Sequence, residues 1–448
     1  MKERKTFFGQ WLQDFWGICT YELRQIFTDW GVMLIFFVAG LAYPLLYNVI
    51  YMRGVLNDTP IAVVDEAACP QSRRFIRELD ATREVQVAWK CINMAEARKL
   101  MQERKVKGIV LFPSDFGEKL ARNETARLSL YADMSSFLYY KNALMAANFV
   151  MLNEIGSIQI DRYDALGYTA QESFQLTKPL LYEENNPYNR AFSYNFFLVT
   201  AILLLIIQQT MFYGMSMLVG TQREKNHSFA SLPDRLSGHG VGRVVLGRGA
   251  AYWLVYLAVS LYIIFIVPAI FGLPQRGSYW DILLLLLFFV TDCVFFSETW
   301  STIISRRETV FVLFLVASPL CLFLTGTSWP TVSFTKFWKL VSYIFPSTFG
   351  VQAFINMNSA GGDITAALSQ MFCMTLQTVV YYFLATSCLY LENWVINHKR
   401  AIMELREKID EKRGLDREKN AYIIGGERSL ERVRAESQKL LSGEDEGQ

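Results

Sequence analysis

The sequence predicts an α-helical polytopic membrane protein with six transmembrane helices and an α/β extracytoplasmic domain inserted between the first and the second. Three observations predict it. The 448 residues are 52% hydrophobic and only 19% charged, more apolar surface than a soluble fold of this length buries. Mean hydropathy is +0.19, and the charges avoid the apolar runs and gather between them and in the C-terminal tail. A long mixed-polarity stretch, 52–192, separates the first apolar run from the other five.

The chain opens with "FFGQWLQDFWGICTYELRQIF", which sets Phe8, Trp11, Leu12, Phe15, Trp16, Cys19, Leu23 and Ile26 at three- and four-residue steps, with Gln10, Asp14 and Arg24 opposite. Residues 1–30 are therefore expected to hold a cytoplasmic interfacial helix at headgroup depth; packing against the spans is the alternative. The first span, 31–51, is too long and too far from the N-terminus for a cleaved signal peptide. The other spans are read at 193–219, 246–271, 279–303, 309–327 and 366–391, within a membrane domain covering 193–391. Each is near the roughly 20 residues that about 30 Å of hydrocarbon requires.

Lys and Arg in the short loops set the orientation. Arg223, Lys225, Arg235, Arg243 and Arg248 lie in or beside the loop 220–245, Arg306 and Arg307 lie in the next loop on that side, and the tail is basic. The opposite loops offer Arg276, Lys336 and Lys339, so both termini and the loop 220–245 are placed in the cytoplasm.

In the insert, "IAVVDE", "REVQVAW", "KGIVLFP" and "ARLSLYAD" read as strands, while "SRRFIRELD" and "MAEARKLMQER" read as helices. "FLYYKNALMAANFVMLNEIGSIQI" has the period of a long helix. No metal cluster, nucleophile elbow or phosphate loop occurs there, and His227, His239 and His398 all fall on the cytoplasmic side, which argues against an enzyme. Cys69 and Cys91 are a disulfide candidate in an oxidising compartment, with two buried free thiols as the alternative.

Within the spans, Asp292 and Glu298 are carboxylates at bilayer depth, where an acid must face protein or a wet cavity. Gln208 and Gln209 are milder cases. All four are candidates for a translocation path, with helix-to-helix hydrogen bonds as the alternative. After the fifth span, "GTSWPTVSFTKFWKLVSYIFPSTFG" is amphipathic and holds belt aromatics and prolines, so 328–360 reads as an external re-entrant region or an aromatic-rich loop. The tail, 392–448, reads as a charged helical cytoplasmic segment, solvated or touching a partner.

The order of these parts resembles the membrane-spanning permease subunit of a type-2 ABC exporter, in the branch with a long external domain. "YELRQIFTDWGVMLIFF" is similar to that family's entry into the first span, and "REKNHSFASLPDRL" followed by "LGRGAAYWLVYL" is similar to its cytoplasmic loop, with Arg223, Glu224, Gly247 and Arg248 matching. The Glu-Arg-Gly-Thr centre common in that loop is replaced here by "NHSFA". "LTGTSWP" and "SYIFPSTFG" resemble the family's external gate, which makes Gly326, Trp329, Pro330 and Pro346 gate candidates.

The resemblance implies a coupling helix in "SLPDRL", with Ser231 as N-cap and Pro233 in the first turn. Leu232 and Leu236 would then seat in a cleft of an ATP-binding subunit, with Arg223, Glu224, Lys225 and Arg235 at its rim. No "GxxxxGK[ST]" occurs in the chain, so ATP and Mg are expected on a separate ABC ATPase subunit, with no cofactor on this one. A second permease copy, identical or paralogous, membrane lipids and a bacterial inner membrane are also implied; a periplasmic adaptor stays open, and nothing points to nucleic acid. The rival readings are a proton-coupled secondary transporter using Asp292 and Glu298, and a membrane-anchored scaffold or receptor.

Overall fold

The computed structural model describes residues 7–52, 54–180, 194–226, 240–304, 306–395 and 398. They form two compact units, one built on residues 46–200 and the other on the chain before and after it.

The insert is a four-stranded sheet with helices on both faces. Its strands are β1 (Thr59–Asp65), β2 (Val85–Cys91), β3 (Gly108–Phe112) and β4 (Ser129–Ala132), ordered β2-β1-β3-β4. β1 pairs parallel with both β2 and β3, and β4 closes the other edge antiparallel. β1 is central, so both of its faces are covered and it reads as a nearly continuous apolar run. Ile61 and Val63 face a core with Phe75, Leu79 and Phe112; Ala62 and Val64 face another with Cys91, Ala97 and Ile109.

The insert's helices start where their caps dictate. Pro70–Asp80 begins at Cys69, whose Sγ accepts from the Ser72 N–H at 3.3 Å, and Met94–Gln102 begins at Asn93, whose side chain accepts from the Glu96 N–H at 2.9 Å. The long helix Phe137–Ala165 is pinned to the sheet by Asn142, whose amide donates to the Leu56 carbonyl at 2.7 Å and the Thr59 hydroxyl at 3.2 Å. This helix is also long and apolar enough to cross a membrane, but its Ala146 and Val150 belong to the sheet core.

The cysteine pair is not a bridge. Both thiols are free, because alternate residues of β1 point to opposite faces and the two cysteines follow suit: Cys69 packs with the Ile61 side of the sheet and Cys91 with the Ala62 side.

In the membrane unit we label the helices α1 (Phe7–Thr28), α2 (Trp30–Ile50), α3 (Tyr194–Asn226), α4 (Val241–Phe271), α5 (Tyr279–Ser301), α6 (Thr309–Leu324) and α7 (Ile364–Val395). α3 is the most enclosed of these. Phe36 of α2 fits against it where Gly214 has no side chain: a Cβ there would lie 1.9 Å from the ring. The same ring meets Tyr252 and Tyr256 of α4 edge-on.

α1 packs against the spans, the alternative held for it. Ile18, Cys19, Glu22 and Ile26 are buried, and Ile18 lies over Gly247, where a Cβ would come within 2.9 Å. Leu12, Trp16 and Phe27 remain exposed on the other side. The fifth span departs from its predicted extent: α6 has 16 residues, about 24 Å at 1.5 Å per residue, which is short of a full crossing. The chain turns at Gly326, whose φ of +84° suits a residue without a Cβ, and continues in short helices at Thr331–Ser333, Lys336–Ser342 and Pro346–Phe354.

Candidate functional site

The loop 227–239 lies outside the described residues, and with it Ser231, Leu232, Pro233, Arg235 and Leu236 of the coupling set. Its two stems, the end of α3 and the start of α4, are described, and both are braced by ion pairs. On the first stem, the Arg223 guanidinium donates to Glu392 of α7 at 2.9 Å and also to the Ile304 carbonyl. Glu224 accepts from the Arg307 N–H at 2.9 Å, just before α6 begins. These two side chains are therefore engaged within the chain, while Lys225 is exposed.

The second stem is tied to α1. Arg243 donates to Asp14 at 2.6 Å. One turn and a half further on, Arg248 donates through Nε and Nη2 to Glu22 Oε1 at 3.2 and 3.1 Å, and the Tyr252 hydroxyl donates to the same oxygen at 3.0 Å. The Arg248 and Glu22 side chains are 3% and 2% exposed. A third tie joins Asp29, between α1 and α2, to Arg307, whose two terminal nitrogens donate at 3.1 and 3.0 Å, with a further bond to Thr221 at 3.2 Å.

Reading by loop charge missed this arrangement. Four of the arginines whose number assigned this side to the cytoplasm, Arg223, Arg243, Arg248 and Arg307, are partners of Glu392, Asp14, Glu22 and Asp29 in turn. The signal that could have found it is the acidic residue at 14, 22 and 29, spaced by eight and seven, on or beside a helix that also carries the apolar stripe.

The path candidates divide. Gln208 Oε1 accepts from the Ser347 N–H at 2.6 Å, which ties the middle of α3 to the helix Pro346–Phe354. Gln209 is also buried and neighbours Cys321 of α6. Asp292 is fully buried; among the described residues its carboxylate makes no hydrogen bond of normal geometry, and Thr378 and Tyr381 of α7 lie beside it. Glu298 is buried toward α4, where Arg248 and Glu22 face it. Six residues of helix turn through about 240°, so the two acids look toward different neighbours and do not form one chain of carboxylates.

The gate candidates lie in and around the short helices that follow α6. Pro346 opens the helix Pro346–Phe354 and is buried, as are Ser347, Gly350 and Phe354. A Cβ at Gly350 would lie 2.4 Å from the Phe289 ring, in the middle of α5. The helix thus reaches mid-depth of two spanning helices, α3 through Gln208 and α5 through Phe289. Thr348 closes its base by donating to the Ser342 carbonyl at 2.7 Å. Gly326 sits against Thr331, and Trp329 is 60% exposed just before Pro330.

Comparison with known proteins agrees with this architecture. Residues 27–386 match the model of the ABC-2 family transporter protein, a span that runs from the end of α1 to within α7. The chain is also similar to the probable multidrug ABC transporter permease YbhS of Escherichia coli K12 and to its counterpart in Escherichia coli O157:H7. Each is 24% identical over 356 residues, covering 77% of this chain and 88% of the relative. With braced loop stems, a buried short helix after α6 and a family match over most of its length, the chain belongs to the ABC-2 family and is a type-2 ABC transporter permease subunit.

Proposed function

We propose that this chain is the path-forming subunit of an ATP-driven exporter in a bacterial inner membrane, with both termini and the loop 227–239 in the cytoplasm. A separate ABC ATPase subunit, carrying ATP and Mg, docks on that loop; Leu232 and Leu236 seat in its cleft with Arg235 alongside. Two permease copies face each other across the path, and the segment from Gly326 to Phe354 closes it on the far side. The relatives' multidrug description sets the substrate class to test, amphipathic drug-like molecules.

The observation that carries this reading is the bracing of both loop stems. Displacing the loop moves Arg223 against α7 and Arg243 against α1, so a push from outside the membrane is delivered to several helices together. An ordinary solvated loop has no need of such ties. The proton-coupled alternative loses its main support, because Asp292 and Glu298 face different partners.

Purification of the chain from its native membrane in mild detergent tests the reading. An ATP-hydrolysing subunit copurifies with the wild type and is lost with Leu232→Asp, while the variant elutes as an intact membrane protein. A stable, intact chain that brings no such subunit would overturn it.

A further inference from the structure

Where α1 runs into α2, a cavity of ≈ 490 Å³ opens between that junction and the end of α3. Tyr21, Asp29 and Trp30 line one wall, Gln222 and Lys225 the other, and Arg307 reaches in beside them. Its charges sum to one excess cation, because Asp29 neutralises Arg307 through two hydrogen bonds while the exposed Lys225 makes no ion pair among the described residues. Gln222 is 6% exposed, and its Oε1 has no hydrogen-bond donor among the described residues although it lines the cavity. An acceptor buried in that way calls for a donor from a ligand. Trp30 is 80% exposed at the first residue of the first span, which puts the mouth at headgroup depth.

We infer that this cavity is a binding site for an anionic phospholipid with a hydroxyl-bearing headgroup. Its phosphodiester lies between Lys225 and Arg307, a headgroup hydroxyl donates to Gln222 Oε1, and the acyl chains leave past Trp30 into the bilayer. A zwitterionic choline headgroup fits poorly, since it brings no hydroxyl donor for Gln222 and adds a cation beside Lys225. On this inference Lys225 serves the lipid and not the rim of an ATPase cleft. The site is positioned to matter, because the same Arg307 that faces the lipid also holds Asp29 and Thr221, and its backbone N–H holds Glu224 at the first loop stem.

The test is native mass spectrometry of the full chain in detergent, titrated separately with phosphatidylglycerol, phosphatidylcholine and inorganic phosphate. Wild type retains phosphatidylglycerol selectively; Lys225→Glu weakens retention about tenfold and Gln222→Leu about threefold, as loss of a charge contact and of one hydrogen bond should. Neither variant removes a described ion pair, and a melting temperature near that of wild type for Gln222→Leu separates loss of the site from loss of the fold. Equal retention of phosphatidylcholine, wild-type retention by both variants, or full competition by inorganic phosphate alone would each overturn the lipid site. So would exclusion of phosphatidylglycerol whenever an ATPase subunit copurifies, since that surface would then belong to the protein partner.

Discussion

Arg248 stands between two carboxylates with almost no water to share them: Glu22 takes its hydrogen bonds and Glu298 faces it from α5. Removing one partner from such a group leaves charge buried without compensation, which costs about 3–5 kcal/mol. Arg248→Met is therefore expected to lower the unfolding temperature in detergent sharply, whereas Glu22→Gln, which keeps an acceptor for Arg248 and Tyr252, lowers it less. Equal melting of Arg248→Met and wild type would show that the cluster does not hold α1. In the insert, Glu154 shows the opposite balance. Burial, and then a hydrogen bond with Glu78, push its carboxyl up to about 6 despite Arg74 3.0 Å away. The folded insert thus binds this proton more tightly than the unfolded chain, so its stability is fully present below the ordinary carboxylate range and falls as pH rises through about 6. Glu154→Gln should flatten that slope in the urea midpoint of the insert's transition, measured in the full chain; an unchanged slope would assign it to other groups. Neither environment was legible in the sequence. Arg248 and Glu22 are 226 positions apart, and a charge in a loop looks the same whether water or a carboxylate receives it. The free thiols at Cys69 and Cys91 teach the same point, since spacing along the chain does not say which face of a sheet each occupies.

At the scale of elements, the insert was legible almost strand by strand, because a parallel sheet covered on both faces writes short apolar runs between amphipathic helices. The fifth span was not. Hydropathy over 309–327 records apolar residues but not where the helix stops, and the turn at Gly326 ends it after 16 residues. What replaces the missing depth is the helix Pro346–Phe354, seated against α5 through the close approach of Gly350 to Phe289. A methyl group added at Gly350 has no room, so Gly350→Ala should cost about 1–3 kcal/mol by overpacking. Adding Phe289→Leu should restore part of that loss by making space at the same contact. If the double variant is no more stable than the sum of the singles predicts, the two residues are not in contact and the helix does not reach mid-depth.

At the scale of the whole molecule, the order of parts is what the sequence reported best, since the run from α1 through the insert to five closely spaced apolar segments is set by composition over long windows. What it concealed is that α1 is tied by ion pairs to the stem of the loop. Asp14 and Arg243 tie α1 to the second stem just where α4 begins, and Glu22 and Arg248 repeat the tie deeper in. If the loop delivers movement to the spans, breaking the outer tie should leave docking intact and weaken transmission. Asp14→Arg alone should therefore keep an ATPase subunit through purification yet reduce ATP-dependent transport by about five- to tenfold, a coupling energy in the usual range for linked sites. Adding Arg243→Asp recreates the pair with its charges exchanged and should recover most of the transport. Recovery would show that the ion pair itself carries the movement, because neither charge then stands where it stood before. A double variant as poor as Asp14→Arg would place the defect in the membrane contact of α1, and the path from loop to spans would then run through Arg223 and α7 alone.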